Sequence, residues 1–163
     1  MSIYIVRHGL SEANNRNNFG TPAFGNKSAP LMLEGRMAAA RLNPLFKHTY
    51  NIDPATTPAA TSELVRTQET ARRAGFTALN SYAALNEVER GLTLDDKRAV
   101  RERGVIPREA LNAAKELLDN PPTENIWFTH GLLIAGLCKH LGIYQDPKYR
   151  IIPHFCEIRQ LPL

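Results

Sequence analysis

The sequence contains little that would hold a fold together covalently or attach it to a membrane. Among its 163 residues there are only two cysteines, Cys138 and Cys156, and both stand in apolar stretches. Cysteines placed in this way are typical of small buried side chains, and a disulfide framework is not expected. The apolar run near the N-terminus is too short for a signal peptide, and no stretch is long enough to span a bilayer. We therefore expect a cytoplasmic protein that does not associate with membranes.

A strong excess of charge is also absent. The net charge is +4 and the isoelectric point is about 9.3. A mildly basic chain suits anionic ligands. The lysines and arginines are dispersed, without a long basic run or a recognised nucleic-acid motif, so no specific nucleic-acid partner is expected. Neither an HExxH motif nor cysteine-rich spacing is present, and we expect neither a metal ion nor another cofactor.

What the sequence does contain is an alternation of apolar runs with amphipathic stretches. The first run, Ile3–Val6, is rich in β-branched residues and stops abruptly at Arg7-His8-Gly9. This is typical of a buried strand that ends in a tight turn. Strands and helices that alternate along the chain predict a single α/β domain over residues 1–163, with a mostly parallel central sheet.

Turn residues and hydrophobic periodicity place the other elements. Further strands are predicted at Ala59–Thr61, Thr77–Leu79, Ile126–Thr129 and His154–Ile158. Helices are predicted at Leu33–Asn43, at Ser62–Gly75 with Ser62 as N-cap, at Pro107–Asn120 and at Leu132–Leu141. Pro44 should end or kink the first of these helices.

Two stretches fit no regular element and are expected to form a small cap beside the domain. Residues 14–30 are rich in asparagine, glycine and proline, which indicates an irregular loop, and Phe19 and Phe24 lie within it. Residues 88–106 are charged and show no clear period. Their modest size predicts a rather open site beneath them.

Several polar residues follow predicted strands. Arg7 and His8 end the first strand, Arg66 lies early in the helix after the second, Glu87 follows the third, and His130 follows the fourth. The carboxyl ends of parallel strands meet at one edge of a sheet, where ligands bind. The order of these residues therefore predicts a cluster of two arginines, two histidines and a carboxyl group.

Such a cluster has the chemistry for phosphoryl transfer. Arginine presents planar pairs of donors that match phosphate oxygens, and a neutral imidazole is a nucleophile able to form a covalent intermediate. A carboxylic acid can protonate the leaving oxygen and then, as carboxylate, activate water. A zinc site of His8, His130 and Glu87 is a weaker alternative, because the two arginines would repel a metal ion.

Four motifs in order resemble those of the histidine phosphatase superfamily, also called phosphoglycerate-mutase-like. They are Val6–Gly9 with Asn14 after it, Thr61–Ala71, Leu85–Glu87 and Phe128–Gly131. The resemblance implies a three-layer αβα sandwich. It also implies a role for each matching residue: His8 as the nucleophile, Glu87 as general acid and base, and Arg7, Arg66, His130 and Asn14 as phosphate-binding residues, with His130 counted in the catalytic set.

Some positions depart from the family's pattern. Leu10, Met32 and Glu63 stand where Glu, Thr and Pro are usual, and altered packing or selectivity is expected from them. Glu89 lies two residues from Glu87, so in an extended backbone both would point the same way and either could be the acid.

The resulting functional hypothesis is a metal-independent phosphomonoester hydrolase that works through phosphohistidine. Its substrate would be a phosphorylated small molecule or a phosphoprotein. A mutase that returns the phosphoryl group to a substrate is one alternative, although it needs an enclosing lid and little of the chain is left to form one. A phospho-ligand binding module with poor turnover is the other. The sequence does not indicate the oligomeric state.

Overall fold

The computed structural model describes residues 2–18, 21–22, 26–88, 94–143 and 150–163. Its strands are β1 (Ser2–Arg7), β2 (Ala59–Thr61), β3 (Leu79–Ser81), β4 (Ile126–Thr129) and β5 (Ile158–Pro162). They form a five-stranded sheet in the order β3-β2-β4-β1-β5. Strands β3, β2, β4 and β1 are mutually parallel, and β5 pairs antiparallel with β1. The prediction of an α/β fold with a mostly parallel sheet is confirmed.

Helices cover both faces of this sheet. They are α1 (Leu33–Ala40), α2 (Leu42–Thr49), α3 (Val65–Arg73), α4 (Leu94–Arg103), α5 (Arg108–Asp119) and α6 (Gly131–His140). Short 3₁₀ turns occupy Glu12–Asn14, Arg16–Asn18 and Ala83–Leu85. Helices α5 and α6 pack on one face and α2 and α3 on the other, which is the predicted three-layer arrangement.

The sheet has a hydrophobic core on each face, because side chains alternate between the two faces along each strand. Ile5 and Trp127 face α5 and α6, whereas their neighbours Val6 and Phe128 face α2 and α3. Successive side chains of a strand point to opposite faces, so a run that is apolar throughout fits a sheet covered on both sides. All four of these side chains are fully buried.

The first predicted helix is wrong in its end point. Helix α1 ends at Ala40, and a second helix begins at Leu42 and contains Pro44 in its first turn. A proline has no N–H to donate to the carbonyl four residues before it, which here is that of Ala40. In the first turn of a new helix that missing donor costs nothing, because the N–H would have no intrahelical partner.

Other elements between the first helix and residue 106 also differ from the predictions. The third strand is Leu79–Ser81, two residues later than expected, and α3 begins at Val65, so Ser62 lies before its N-cap. The stretch 88–106 contains helix α4, which the sequence analysis left without an element.

The last strand was also predicted too early. Residues 154–157 form a turn in which the Glu157 N–H donates to the His154 carbonyl at 3.1 Å. Cys156 has a φ of 60°, a left-handed conformation that does not continue a strand. Strand β5 therefore starts only at Ile158.

Three residues singled out from the sequence are not among those that the structure describes. Phe19, Phe24 and Glu89 lie outside the described residues. Within the described parts of the chain, no helix is long and apolar enough to cross a membrane.

Candidate active site

The two histidines of the predicted cluster lie side by side. His8 follows β1 and His130 follows β4, and the parallel register pairs Arg7 with Thr129, the residues just before them. The backbone hydrogen bonding between β1 and β4 continues one residue past the strands, since the His8 N–H donates to the Thr129 carbonyl at 3.0 Å. The imidazole centroids are 5.0 Å apart, and both side chains are buried.

The hydrogen bond of His8 to the next residue defines which ring nitrogen is reactive. Nδ1 lies 2.7 Å from the carbonyl oxygen of Gly9. A carbonyl only accepts, so Nδ1 carries the hydrogen and Nε2 of the neutral ring keeps its lone pair. The Nε–H of Arg66 donates to this Nε2 at 3.3 Å. The nitrogen suited to attack thus already faces a cation.

Helix α3 positions Arg66 and the turn after His8 together. Arg66 lies in the first turn of α3 and is 3% exposed. One turn later, the Thr70 hydroxyl donates to the Arg66 carbonyl at 2.6 Å and accepts the N–H of Gly9 at 2.9 Å. The backbone that carries His8 is therefore attached to the helix that carries Arg66.

Arg7 is held by the segment that precedes β5. Its Nη1 donates to the Pro153 carbonyl at 2.6 Å, and its Cζ lies 3.8 Å from the centroid of the Phe155 ring. That ring is also 5.7 Å from the ring of His8. On the other side, a Cβ on Gly131 would lie 3.0 Å from Arg7 Nε, so a glycine lets the guanidinium approach the start of α6.

Ser62 joins the group from the end of β2. Its N–H donates to the Phe128 carbonyl at 3.1 Å, and its Oγ lies 2.9 Å from Nε2 of His130. From its sequence position, Ser62 was predicted only as a helix cap. Its place directly after a parallel strand, like those of His8 and His130, was the signal that it faces the site.

Both histidines are neutral in this environment at ordinary pH. Burial is the main cause that holds the pKa of His8 well below its usual value, followed by the positive charges of Arg66 and Arg7. Burial likewise dominates the lowered pKa of His130, with His8, Arg66 and Arg7 adding to it. Low pKa values of this origin are common where a base or nucleophile is required.

The backbone before Glu87 is fastened to the same edge of the sheet. The Thr129 hydroxyl donates to the Leu85 carbonyl at 2.6 Å. Asn86 accepts the Glu63 N–H at 2.9 Å and donates its amide to the Glu63 carboxylate at 2.7 Å. Glu63, one of the departures from the family's pattern, thus holds the residue beside Glu87. The half-buried Glu87 carboxylate accepts the N–H of Val88 at 3.0 Å.

Asn14 is not joined to this group by a hydrogen bond among the described residues. Its Oδ1 accepts the hydroxyl of Ser11 at 2.6 Å, within the loop that follows the His8 turn. A contact of Asn14 with phosphate stays a prediction.

The arrangement can bind and attack a tetrahedral anion. The guanidinium of Arg66 and the ring of His130 lie beside Nε2 of His8, and the charge of Arg7 also acts on His8. Glu87 follows Leu85, whose carbonyl Thr129 binds at the same edge of the sheet. Among the residues that the structure describes, no three His, Cys, Asp or Glu side chains are grouped so as to hold a metal ion.

Comparisons with known proteins agree on the fold. TTHB049 from Thermus thermophilus is 22% identical with a TM-score of 0.66, and the match covers 99% of this chain and 94% of that one. The product of the open reading frame Rv3214 from Mycobacterium tuberculosis is 19% identical with a TM-score of 0.58, over 98% of this chain and 89% of that one. Mycobacterial hydrolase 1 is 17% identical with a TM-score of 0.58, over 98% and 87%.

No curated protein matches the chain. A sequence profile of the histidine phosphatase superfamily (branch 1) matches residues 3–116, which is more than half of the 163 residues. Because this match covers more than half of the sequence, the chain belongs to the histidine phosphatase superfamily.

Proposed function

We propose that the protein is a metal-independent phosphomonoester hydrolase that works through a phosphohistidine on His8. Membership of the superfamily supports phosphatase-like or mutase-like chemistry. The observation that carries the finer proposal is the lone pair on His8 Nε2, set beside the guanidinium of Arg66 and the ring of His130. A neutral, buried imidazole next to cations is a nucleophile that remains unprotonated near neutral pH.

Two displacements at phosphorus complete the reaction. In the first, Nε2 of His8 forms a bond to phosphorus, the ester P–O bond breaks, and the leaving oxygen takes the proton of the Glu87 carboxyl group. In the second, the Glu87 carboxylate removes a proton from water, whose oxygen attacks phosphorus and frees the histidine. Arg7, Arg66 and His130 stabilise the charge on the non-bridging oxygens, the role that metal ions fill in other phosphoryl transfer enzymes.

The substrate is a phosphomonoester on a small molecule or on a protein. The second displacement needs water at the phosphoenzyme, and the rather open site expected from the sequence would admit it. A mutase must exclude water from the same intermediate.

The test is turnover of an aryl phosphate in the presence of a chelator, together with labelling of the protein by radioactive substrate. We expect one inorganic phosphate per alcohol, a trapped label that survives base but not acid, and loss of both in His8→Ala. The control is His48→Ala, an exposed histidine at the end of α2. Phosphoryl exchange between esters without free phosphate would indicate a mutase. Phosphate binding without turnover would indicate a binding module, and equal turnover by His8→Ala would exclude the covalent route.

A further inference from the structure

A buried chain of polar atoms leads away from His130. The chain comprises His130 Nε2, the hydroxyls of Ser62 and Thr67, and the carbonyl of Leu64. Successive distances are 2.9 Å from His130 Nε2 to Ser62 Oγ, 2.7 Å from there to Thr67 Oγ1, and 2.8 Å from there to Leu64 O. Ser62, Thr67 and His130 are fully buried.

The Leu64 carbonyl, at the far end of this series of hydrogen bonds, sets the direction of each hydrogen bond in it. The Thr67 hydroxyl has one hydrogen, and the nearby carbonyl of Leu64 can only accept it. The carbonyl of Ser62, 3.3 Å away, is the other acceptor within reach, so this hydrogen is used on a carbonyl in either case. Thr67 Oγ1 must then accept from the Ser62 hydroxyl.

Ser62 has no second hydrogen for the histidine. Its hydroxyl hydrogen goes to Thr67, and its two lone pairs accept the N–H of Leu64 at 3.2 Å and a hydrogen from His130 Nε2. Every donor and acceptor of the hydroxyl is thereby satisfied. His130 Nε2 is consequently the protonated nitrogen of the neutral ring, the reverse of His8.

We infer that Ser62 and Thr67 are positioning residues that hold neutral His130 with its lone pair on Nδ1, so that binding of a phosphomonoester dianion is coupled to proton uptake at that nitrogen. Nδ1 of His130 is buried and has no hydrogen-bond partner within the described residues. The coupling to phosphate rests on the proposed function, whereas the position of the hydrogen in the free protein does not.

Burial and the groups around the ring explain why the proton arrives only with the anion. Burial is the main cause that lowers the pKa of His130, and His8 and Arg7 from the end of β1 and Arg66 from α3 add to it. The carboxyl group of Glu87 follows the turn that Thr129 fastens. A phosphomonoester dianion opposes the cations, and its non-bridging oxygens only accept hydrogen bonds, so neutral Nδ1 would repel them until it takes a proton from the solvent.

The first test is the ¹⁵N spectrum of the imidazole side chains in the free protein at neutral pH. For His130 we expect a protonated signal at Nε2 and an unprotonated one at Nδ1, and the opposite pair for His8. In Thr67→Val the Ser62 hydroxyl hydrogen is free to turn to His130, and the two tautomers should mix. Thr67→Ser, which keeps the hydroxyl, should restore the wild-type pair. A protonated Nδ1 on neutral His130 in the wild type would overturn the inference.

The second test is calorimetric titration with phenylphosphonate, which at pH 8 is largely a dianion without a P–OH group, in two buffers of different ionisation enthalpy. We expect uptake of one proton per phosphonate bound, and the His130 Nδ1 signal should become protonated in the complex. Binding without uptake and with an unprotonated Nδ1 would overturn the coupling while the proposed function stands. If phenylphosphonate does not bind and the free protein keeps the expected tautomer, the proposed function fails and the positioning by Ser62 and Thr67 stands.

Discussion

Arg66 donates its Nε–H to His8 at the nitrogen that keeps a lone pair, across 3.3 Å. A cation at this place acts in two ways. It lowers the pKa of His8, with burial as the larger cause, so the nucleophile remains neutral. It also lies where an oxygen of the attacked phosphoryl group must come close to Nε2, so the same guanidinium can stabilise the charge that develops there.

Arg66→Ala should impair catalysis and change its pH dependence. Hydrogen bonds to charged groups contribute about 1.5–3 kcal/mol, which corresponds to a loss of kcat/KM of about 10- to 150-fold. Without the cation the pKa of His8 rises, so the acid limb of the kcat/KM profile should move to higher pH. Arg72→Ala removes the same charge from an exposed position of α3 and serves as control. An acid limb that stays in place would contradict the link between Arg66 and His8.

Thr70→Val should loosen the turn that carries His8. The substitution keeps the shape of the side chain but leaves the buried N–H of Gly9 without its acceptor, which costs about 1–3 kcal/mol of unfolding free energy. Urea unfolding measures this loss, and kcat should fall with it because His8 is less firmly placed. Thr70→Ser should recover both quantities. Thr77→Val, at an exposed threonine, is the control, and an effect as large there would show that the buried N–H is not the cause.

The core of the site could be predicted from the sequence because parallel strands bring their carboxyl ends together. Arg7, His8 and His130 each end or follow a strand whose apolar run is unmistakable, so their meeting needs only the sheet topology. The strand order itself, with β4 between β1 and β2, is what makes His8 and His130 neighbours.

Other parts of the site could not be predicted, for physical reasons. Phe155 contacts Arg7 across almost the whole length of the chain, and the turn that presents it depends on a left-handed Cys156 that no local pattern indicates. Ser62 was missed for a different reason. A serine before a helix serves as a cap or as a partner of a distant side chain with the same hydroxyl, and only the tertiary structure distinguishes the two.

Phe155→Leu should weaken the binding of phosphate more than it slows turnover. A guanidinium over an aromatic face gains about 0.5–2 kcal/mol, so the inhibition constant of inorganic phosphate should rise about 2- to 30-fold. Leucine keeps an apolar cover on Arg7 but removes the ring quadrupole. Phe155→Tyr keeps the ring and should bind phosphate like the wild type. An unchanged inhibition constant in Phe155→Leu would mean that contacts other than the ring, such as the hydrogen bond to the Pro153 carbonyl, hold Arg7.

The two buried histidines should make the protein less stable in mild acid. In the unfolded chain both titrate near pH 6.5, whereas in the folded protein their pKa values lie well below this. Below about pH 6.5 the unfolded state therefore binds protons that the folded state does not, and each histidine lowers the free energy of unfolding by up to about 1.4 kcal/mol per pH unit. Above that pH the two histidines add no further pH dependence to the free energy of unfolding.

Urea unfolding from pH 8 to pH 5 measures this slope. His130→Asn should remove about half of the histidine contribution between pH 6.5 and the lowered folded values. The substitution is expected to change stability at pH 8 as well, so the comparison is made between slopes. His48→Gln, at an exposed position, should leave the slope as in the wild type. A slope in His130→Asn equal to that of the wild type would mean that His130 is not buried in its neutral form.

Glu87→Gln should separate the proton transfer from the binding of phosphate. An alkyl phosphate has a poor leaving group that needs a proton, so kcat should fall by about 10²–10⁴-fold, the usual contribution of general acid catalysis. An aryl phosphate with an acidic phenol leaves without that help, and formation of its phosphoenzyme should slow far less. Inorganic phosphate should still bind, because the substitution leaves both arginines and His130 in place.

Glu89→Gln is the matched control, since the sequence alone left either carboxyl group as the acid. The backbone at Leu85 and Asn86 is fastened to Thr129 and Glu63, so Glu87, directly after it, starts from a fixed position at the edge of the sheet. Glu89→Gln should therefore hydrolyse the alkyl phosphate at nearly the wild-type rate. If the large loss with alkyl phosphate appears in Glu89→Gln and not in Glu87→Gln, the acid is Glu89, and the fastening of Asn86 serves only the packing of the β2–α3 turn.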